Sequence, residues 1–85
     1  MKSYIFRVTL EPEDDGSWSA VVPLLPGCAV SGDTIEETME YLREAAEAYV
    51  EVLIEDGRPV PTEEVESSVL DGPAVVVLAQ AASAA

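Results

Sequence analysis

The 85-residue sequence has no histidine, one cysteine and only four basic residues. Each shortage removes a class of chemistry. Without histidine, proton transfer near neutral pH falls to carboxylates, and any metal site would have to be built from oxygen ligands. The single Cys28 permits no disulfide within the chain and no zinc site built on a cysteine pair. With no basic neighbour in sequence and no histidine to activate it, it reads as a buried structural thiol rather than a nucleophile. Lys2, Arg7, Arg43 and Arg58 are scattered, whereas a phosphate backbone is held by grouped cations that displace counterions, so direct nucleic-acid binding is disfavoured. No apolar run approaches the ~18 residues that cross a bilayer, and the first residues hold none long enough for a signal peptide. The expected location is therefore a reducing cytoplasm, with no membrane contact.

Acid is present in excess: 17 acidic residues give a formal net charge of -13 and a pI near 4.1. A basic partner is the natural complement of such a surface, although acidity is also an ordinary route to solubility. The length fits one small domain, expected over residues 1–80 with an Ala-rich tail at 81–85. Such a chain buries only ~60–65% of its extended surface, and with disulfides and zinc set aside, self-association is the remaining source of added stability.

Over residues 4–10 the apolar side chains Tyr4, Phe6, Val8 and Leu10 alternate with Ile5, Arg7 and Thr9, a period of two that reads as a half-buried strand. A turn-rich segment ending at Gly16 follows, and then Trp18, Ala20 and Val22 alternate again, completing a β-hairpin. The stretch 23–37 hands strand over to helix. Pro23 and Pro26 remove backbone donors, Gly27 permits a turn, and residues 29–31 form a short third strand. After Gly32, the T-x-x-E spacing of Thr34 and Glu37 predicts a capping box, with Glu37 reaching back to the cap. The helix is predicted from 35 to about 56, closed by Gly57 in the left-handed conformation.

Within that helix Ile35, Met39, Leu42, Ala46, Tyr49 and Leu53 share the face expected to cover the sheet. A second row, Tyr41, Ala45, Ala48 and Val52, widens the apolar stripe and is expected to meet another copy of the chain, giving a homodimer or tetramer. The polar face carries many glutamates against Arg43 alone. Like charges four apart oppose a helix by roughly 0.2–0.5 kcal/mol per pair, so either packing outweighs the repulsion or a basic partner relieves it. Beyond the helix, 62–66 is predicted to form a capped helical turn and 71–73 a turn. The uninterrupted apolar run 74–79 is expected to be a strand beside the first, buried on both faces or central in the sheet.

No catalytic, cofactor or metal site emerges. Asp14 and Asp15 in the hairpin turn lack a third ligand, and the glycines at 27 and 32 are followed by acid rather than by the lysine of a phosphate loop. The candidate contacts for a basic partner are Asp14, Asp15, Glu40, Glu44, Glu47 and Glu51. The residues that shape the backbone are Gly16, Pro26, Gly27, Cys28, Gly32, Thr34, Glu37 and Gly57. Four segments in register, 15–20 (Asp-Gly-Ser-Trp-Ser-Ala), 23–28 (Pro-Leu-Leu-Pro-Gly-Cys), 32–37 (Gly-Asp-Thr-Ile-Glu-Glu) and 55–61 (Glu-Asp-Gly-Arg-Pro-Val-Pro), resemble the HicB-type antitoxin family. Leu24 departs from the acid that the family often places before Leu-Pro-Gly-Cys. The resemblance is to a short form without the C-terminal DNA-binding domain that many members carry. It implies an α+β fold, an antiparallel β-β-β-α-β sheet with one long helix on one face, described as a partial ribonuclease H-like fold without its catalytic carboxylates. It also implies a protein that is not an enzyme and that neutralises a small basic messenger-RNA-cleaving toxin of the HicA type. The other readings are a stand-alone oligomeric binding module and a divergent nuclease, which would need several carboxylates converging on a metal ion.

Overall fold

Period-two alternation at the start of the chain survives folding. Phe6 and Val8 are buried and Leu10 is half-buried, while Ile5, Arg7, Thr9 and Glu11 between them are exposed. The structure, a computed structural model, describes residues 2–62 and 72–79. The elements run β1 (Lys2–Arg7), β2 (Thr9–Pro12), β3 (Trp18–Val21), β4 (Ala29–Gly32), α1 (Ile35–Glu55) and β5 (Ala74–Ala79). The fold is α+β with antiparallel strands throughout, in the order expected.

The first strand divides at Val8, because its two halves take different neighbours. β1 pairs with β5, setting Ile5 opposite Val76 and Phe6 opposite Val75, whereas β2 pairs with β3 in a three-stranded sheet completed by β4. At the break, the Val8 N–H donates to the Pro73 carbonyl at 3.0 Å. One strand was predicted here, since neither half carries a local signal for its partner.

Between β3 and β4 the chain folds on itself. The Val22 N–H donates to Cys28 at 3.0 Å, Leu25 to Val22 at 3.0 Å and Cys28 to Leu25 at 2.9 Å, with Gly27 at φ 85. Pro23 and Pro26, which have no N–H, sit where no donor is missed, and Leu25 between them is fully buried.

α1 is bounded by local chemistry. Thr34 is the N-cap, its hydroxyl accepting from the Glu37 N–H at 3.1 Å. The predicted return bond from Glu37 gives way to another, because its carboxylate accepts the Tyr41 hydroxyl at 2.6 Å, one turn along. At the other end, Gly57 (φ 71) donates to Ile54 at 3.1 Å and Arg58 to Leu53 at 2.8 Å, the pair of bonds that defines a Schellman motif.

The helix buries Thr38, Leu42, Ala46 and Val50, a row spaced by four. This corrects the predicted inward stripe at its start: Ile35 is 40% exposed, and Thr38 takes the inward place in the first turns. Gly32 provides the reason. A Cβ built there would lie 2.7 Å from the Thr38 hydroxyl and 3.1 Å from the Thr38 backbone nitrogen, so the bare glycine lets the helix backbone settle against the end of β4. The Thr38 hydroxyl is satisfied by donating to the Thr34 carbonyl at 2.7 Å.

The β5 prediction also needs correction. Val75 and Val77 are buried, but Val76 and Leu78 are 52% and 53% exposed, because α1 covers only one face of the β1–β5 ribbon. The predictions for 63–71 and for the tail at 81–85 lie outside the described residues.

Replacing Gly32 with alanine is expected to lower stability by about 1–3 kcal/mol through overpacking. A thermal melt of Gly32→Ala, with Ser31→Ala at the exposed neighbouring position of β4 as a control, separates this clash from a general weakening of the strand.

Candidate partner-binding surface

Around its axis α1 presents three different surfaces. The row headed by Thr38 is buried, the row Tyr41, Ala45, Ala48 and Val52 flanks it, and most of the acidic residues lie on the exposed side. Of the candidate contacts, Glu40, Glu44 and Glu51 are exposed and Glu47 is half-buried. The helix brings these four together on one side. Asp14 and Asp15 sit apart from them, in the β2–β3 turn.

These carboxylates are not equivalent. Arg43 lies between Glu40 and Glu47, 2.6 Å from one and 3.1 Å from the other. Its hydrogen bond to Glu40, followed by its positive charge, holds the Glu40 carboxyl below the usual carboxylate value. Asp15 is also lowered, first by the Ser17 hydroxyl at 2.6 Å and then by the Ser17 N–H at 3.0 Å, so this side chain closes the turn. Glu44 and Glu51, by contrast, form no ion pair among the described residues. Both local pairings were legible in the spacing: Arg43 is three residues after Glu40 and four before Glu47, and Ser17 is two after Asp15.

A groove of about 390 Å³, not anticipated from sequence, runs between the helix flank and the β3–β4 connection. Gly27, Cys28 and Ala29 form one wall, residues from Ala45 to Leu53 form the other, and Arg58 lines it as well. Cys28 is buried, and burial pushes its thiol up from the ordinary value. Among the described residues no group of three or more Asp, Glu, Cys or His side chains is placed to hold a metal ion, so the carboxylate cluster that a divergent nuclease requires is not assembled there. No helix among the described residues is long and apolar enough to cross a membrane.

The distinguishing surface features of this small α+β scaffold are an acidic helix face and an apolar groove. The family described as "HicB_like antitoxin of bacterial toxin-antitoxin system" matches residues 6–75, and the chain belongs to it. A UPF0150 protein of Synechocystis is 46% identical over 61 residues, covering 72% of this chain and 77% of its own length. The fold is similar to that of the N-terminal domain of antitoxin HicB from Burkholderia pseudomallei, with a TM-score of 0.67, 24% identity and coverage of 89% of this chain and 98% of that one. It also resembles a chain of the HicA3 and HicB3 toxin-antitoxin complex, with a TM-score of 0.53, 18% identity and coverage of 93% and 99%.

The Arg43 bridge has a measurable consequence. Because the Glu40 carboxyl is lowered in the folded protein, its contribution to stability is full above the unfolded value and is lost as pH falls through the folded one. In Arg43→Ala the Glu40 carboxyl, followed by NMR titration, is expected to move up to the ordinary range. A titration unchanged by the substitution would show that the bridge does not persist in solution.

Proposed function

We propose that this chain acts as an antitoxin that binds a small basic messenger-RNA-cleaving toxin of the HicA type and neutralises it by covering its active site. The observation that carries this reading is the helix face on which Glu44 and Glu51 stand without an ion pair among the described residues, in a member of an antitoxin family with a net charge of -13. Repulsion along that face is relieved when a cationic surface docks on it, so binding energy comes from charge that the isolated chain holds at a cost. A chain of similar fold occurs in the HicA3 and HicB3 toxin-antitoxin complex, which supports the choice of partner.

In this reading the protein works in the cytoplasm, through contact rather than catalysis, and makes no direct contact with nucleic acid. Glu44 and Glu51 lead the interaction. Glu40 and Glu47, already bridged by Arg43, contribute less, and Asp14 lies at a separate point of contact. The alternative, a stand-alone oligomeric binding module, draws on the apolar groove.

Co-expression with a small basic protein encoded beside this one tests the proposal. The pair is expected to co-purify at low salt and growth to be restored, with affinity falling as salt rises. The double change Glu44→Lys and Glu51→Lys should weaken binding by about tenfold or more, as expected for like charges brought together at an interface. Failure to co-purify at low salt, together with no rescue of growth, would overturn the reading.

A further inference from the structure

The groove between the helix flank and the β3–β4 connection is opened by small residues on both walls. Gly27 and Ala29 on one side and Ala45 and Ala48 on the other leave about 390 Å³, within the range of small-molecule sites. Its helical wall, from Ala45 to Leu53, rises about 12 Å along the axis, so an elongated occupant can follow it. Besides the Cys28 thiol, two polar side chains line the groove, the Tyr49 phenol and the Arg58 guanidinium. Neither forms a side-chain hydrogen bond or ion pair among the described residues. The helix closure fixes the place of Arg58, whose backbone N–H donates to the Leu53 carbonyl at 2.8 Å.

We propose that this groove binds a small amphipathic carboxylate, an unbranched alkyl acid, with its chain along the alanines and its carboxylate on Arg58. Charge complementarity selects this class. Arg43 is already bridged to Glu40 and Glu47, whereas Arg58 brings an unmatched positive charge to an apolar cleft in a chain with 17 acidic residues. A neutral apolar molecule leaves that charge unmatched, and a cation is repelled by it. A carboxylate accepts two parallel N–H bonds from one guanidinium, and Tyr49 offers a further donor on the helical wall.

The net charge of -13 opposes any anion, and it opposes a dianionic phosphate twice as strongly as a single carboxylate. At physiological salt such repulsion reaches only about 8 Å, which leaves the local pair with Arg58 and the burial of the alkyl chain to decide. The inference does not rest on the toxin reading. It is tested on the chain alone, and the failure of either leaves the other standing.

The full chain is titrated with hexanoate, octanoate and decanoate while the Ala45 and Ala48 methyl groups are followed by NMR. Saturable shifts are expected, with affinity rising by up to about fourfold per added methylene, while Val76 and Leu78 on the exposed β1–β5 ribbon stay unshifted. Decanol should bind about tenfold more weakly than decanoate, and decyl phosphate should also bind more weakly. Arg58→Gln should bring decanoate down to the level of decanol. Ala48→Leu, which fills the groove from an exposed helix position, should remove binding with an unchanged circular dichroism spectrum. Shifts that fail to saturate or that appear equally at Val76 and Leu78 would overturn the proposal. The same holds for decanol or decyl phosphate binding as tightly as decanoate, or for decanoate binding unaffected by Arg58→Gln or by Ala48→Leu. Ala45 and Ala48 signals that move with protein concentration before any acid is added would overturn it too, because another chain would then occupy the groove.

Discussion

Gly32 sits against Thr38, and the placing of the helix follows from that contact. A side chain at Gly32 would meet the Thr38 hydroxyl and backbone, so only a bare backbone allows the end of β4 and the second turn of α1 to share the space. Thr34 caps the helix, and its carbonyl receives both the N–H and the hydroxyl of Thr38, at 2.9 and 2.7 Å. Strand end, cap and first inward residue are thereby locked together within seven positions. Once Thr38 points inward, steps of four bring Leu42, Ala46 and Val50 after it. The acidic row and the alanine flank take their directions as a consequence.

That orientation carries a helix whose own charges oppose it. Complete burial of Leu42 and of Val50 contributes about 1.5–3 kcal/mol each, whereas the glutamate repulsions are several small terms in high dielectric, so packing prevails. Arg43 quiets one side of the acidic row by bridging Glu40 and Glu47. Glu44 and Glu51 are left with the repulsion, which makes the face uneven and marks the part of it where a cationic surface has most to relieve.

Much of the fold was legible because it is encoded locally. The β2–β3 turn, the Thr34 cap and the Gly57 closure are each specified by residues within a few positions of one another, and β5 was placed beside the first strand by its apolar run. The rotation of the helix was not legible in full. Counting apolar side chains favours Ile35 over Thr38, yet threonine can satisfy its hydroxyl one turn back and then fill a core position, whereas the gap that admits it belongs to Gly32 in another element. The exposure of Val76 and Leu78 escaped notice for a related reason: an apolar run records which side chains tolerate burial, and whether a second layer covers them is decided elsewhere in the chain. The groove combines residues from 27 to 58, a juxtaposition that no sequence period announces.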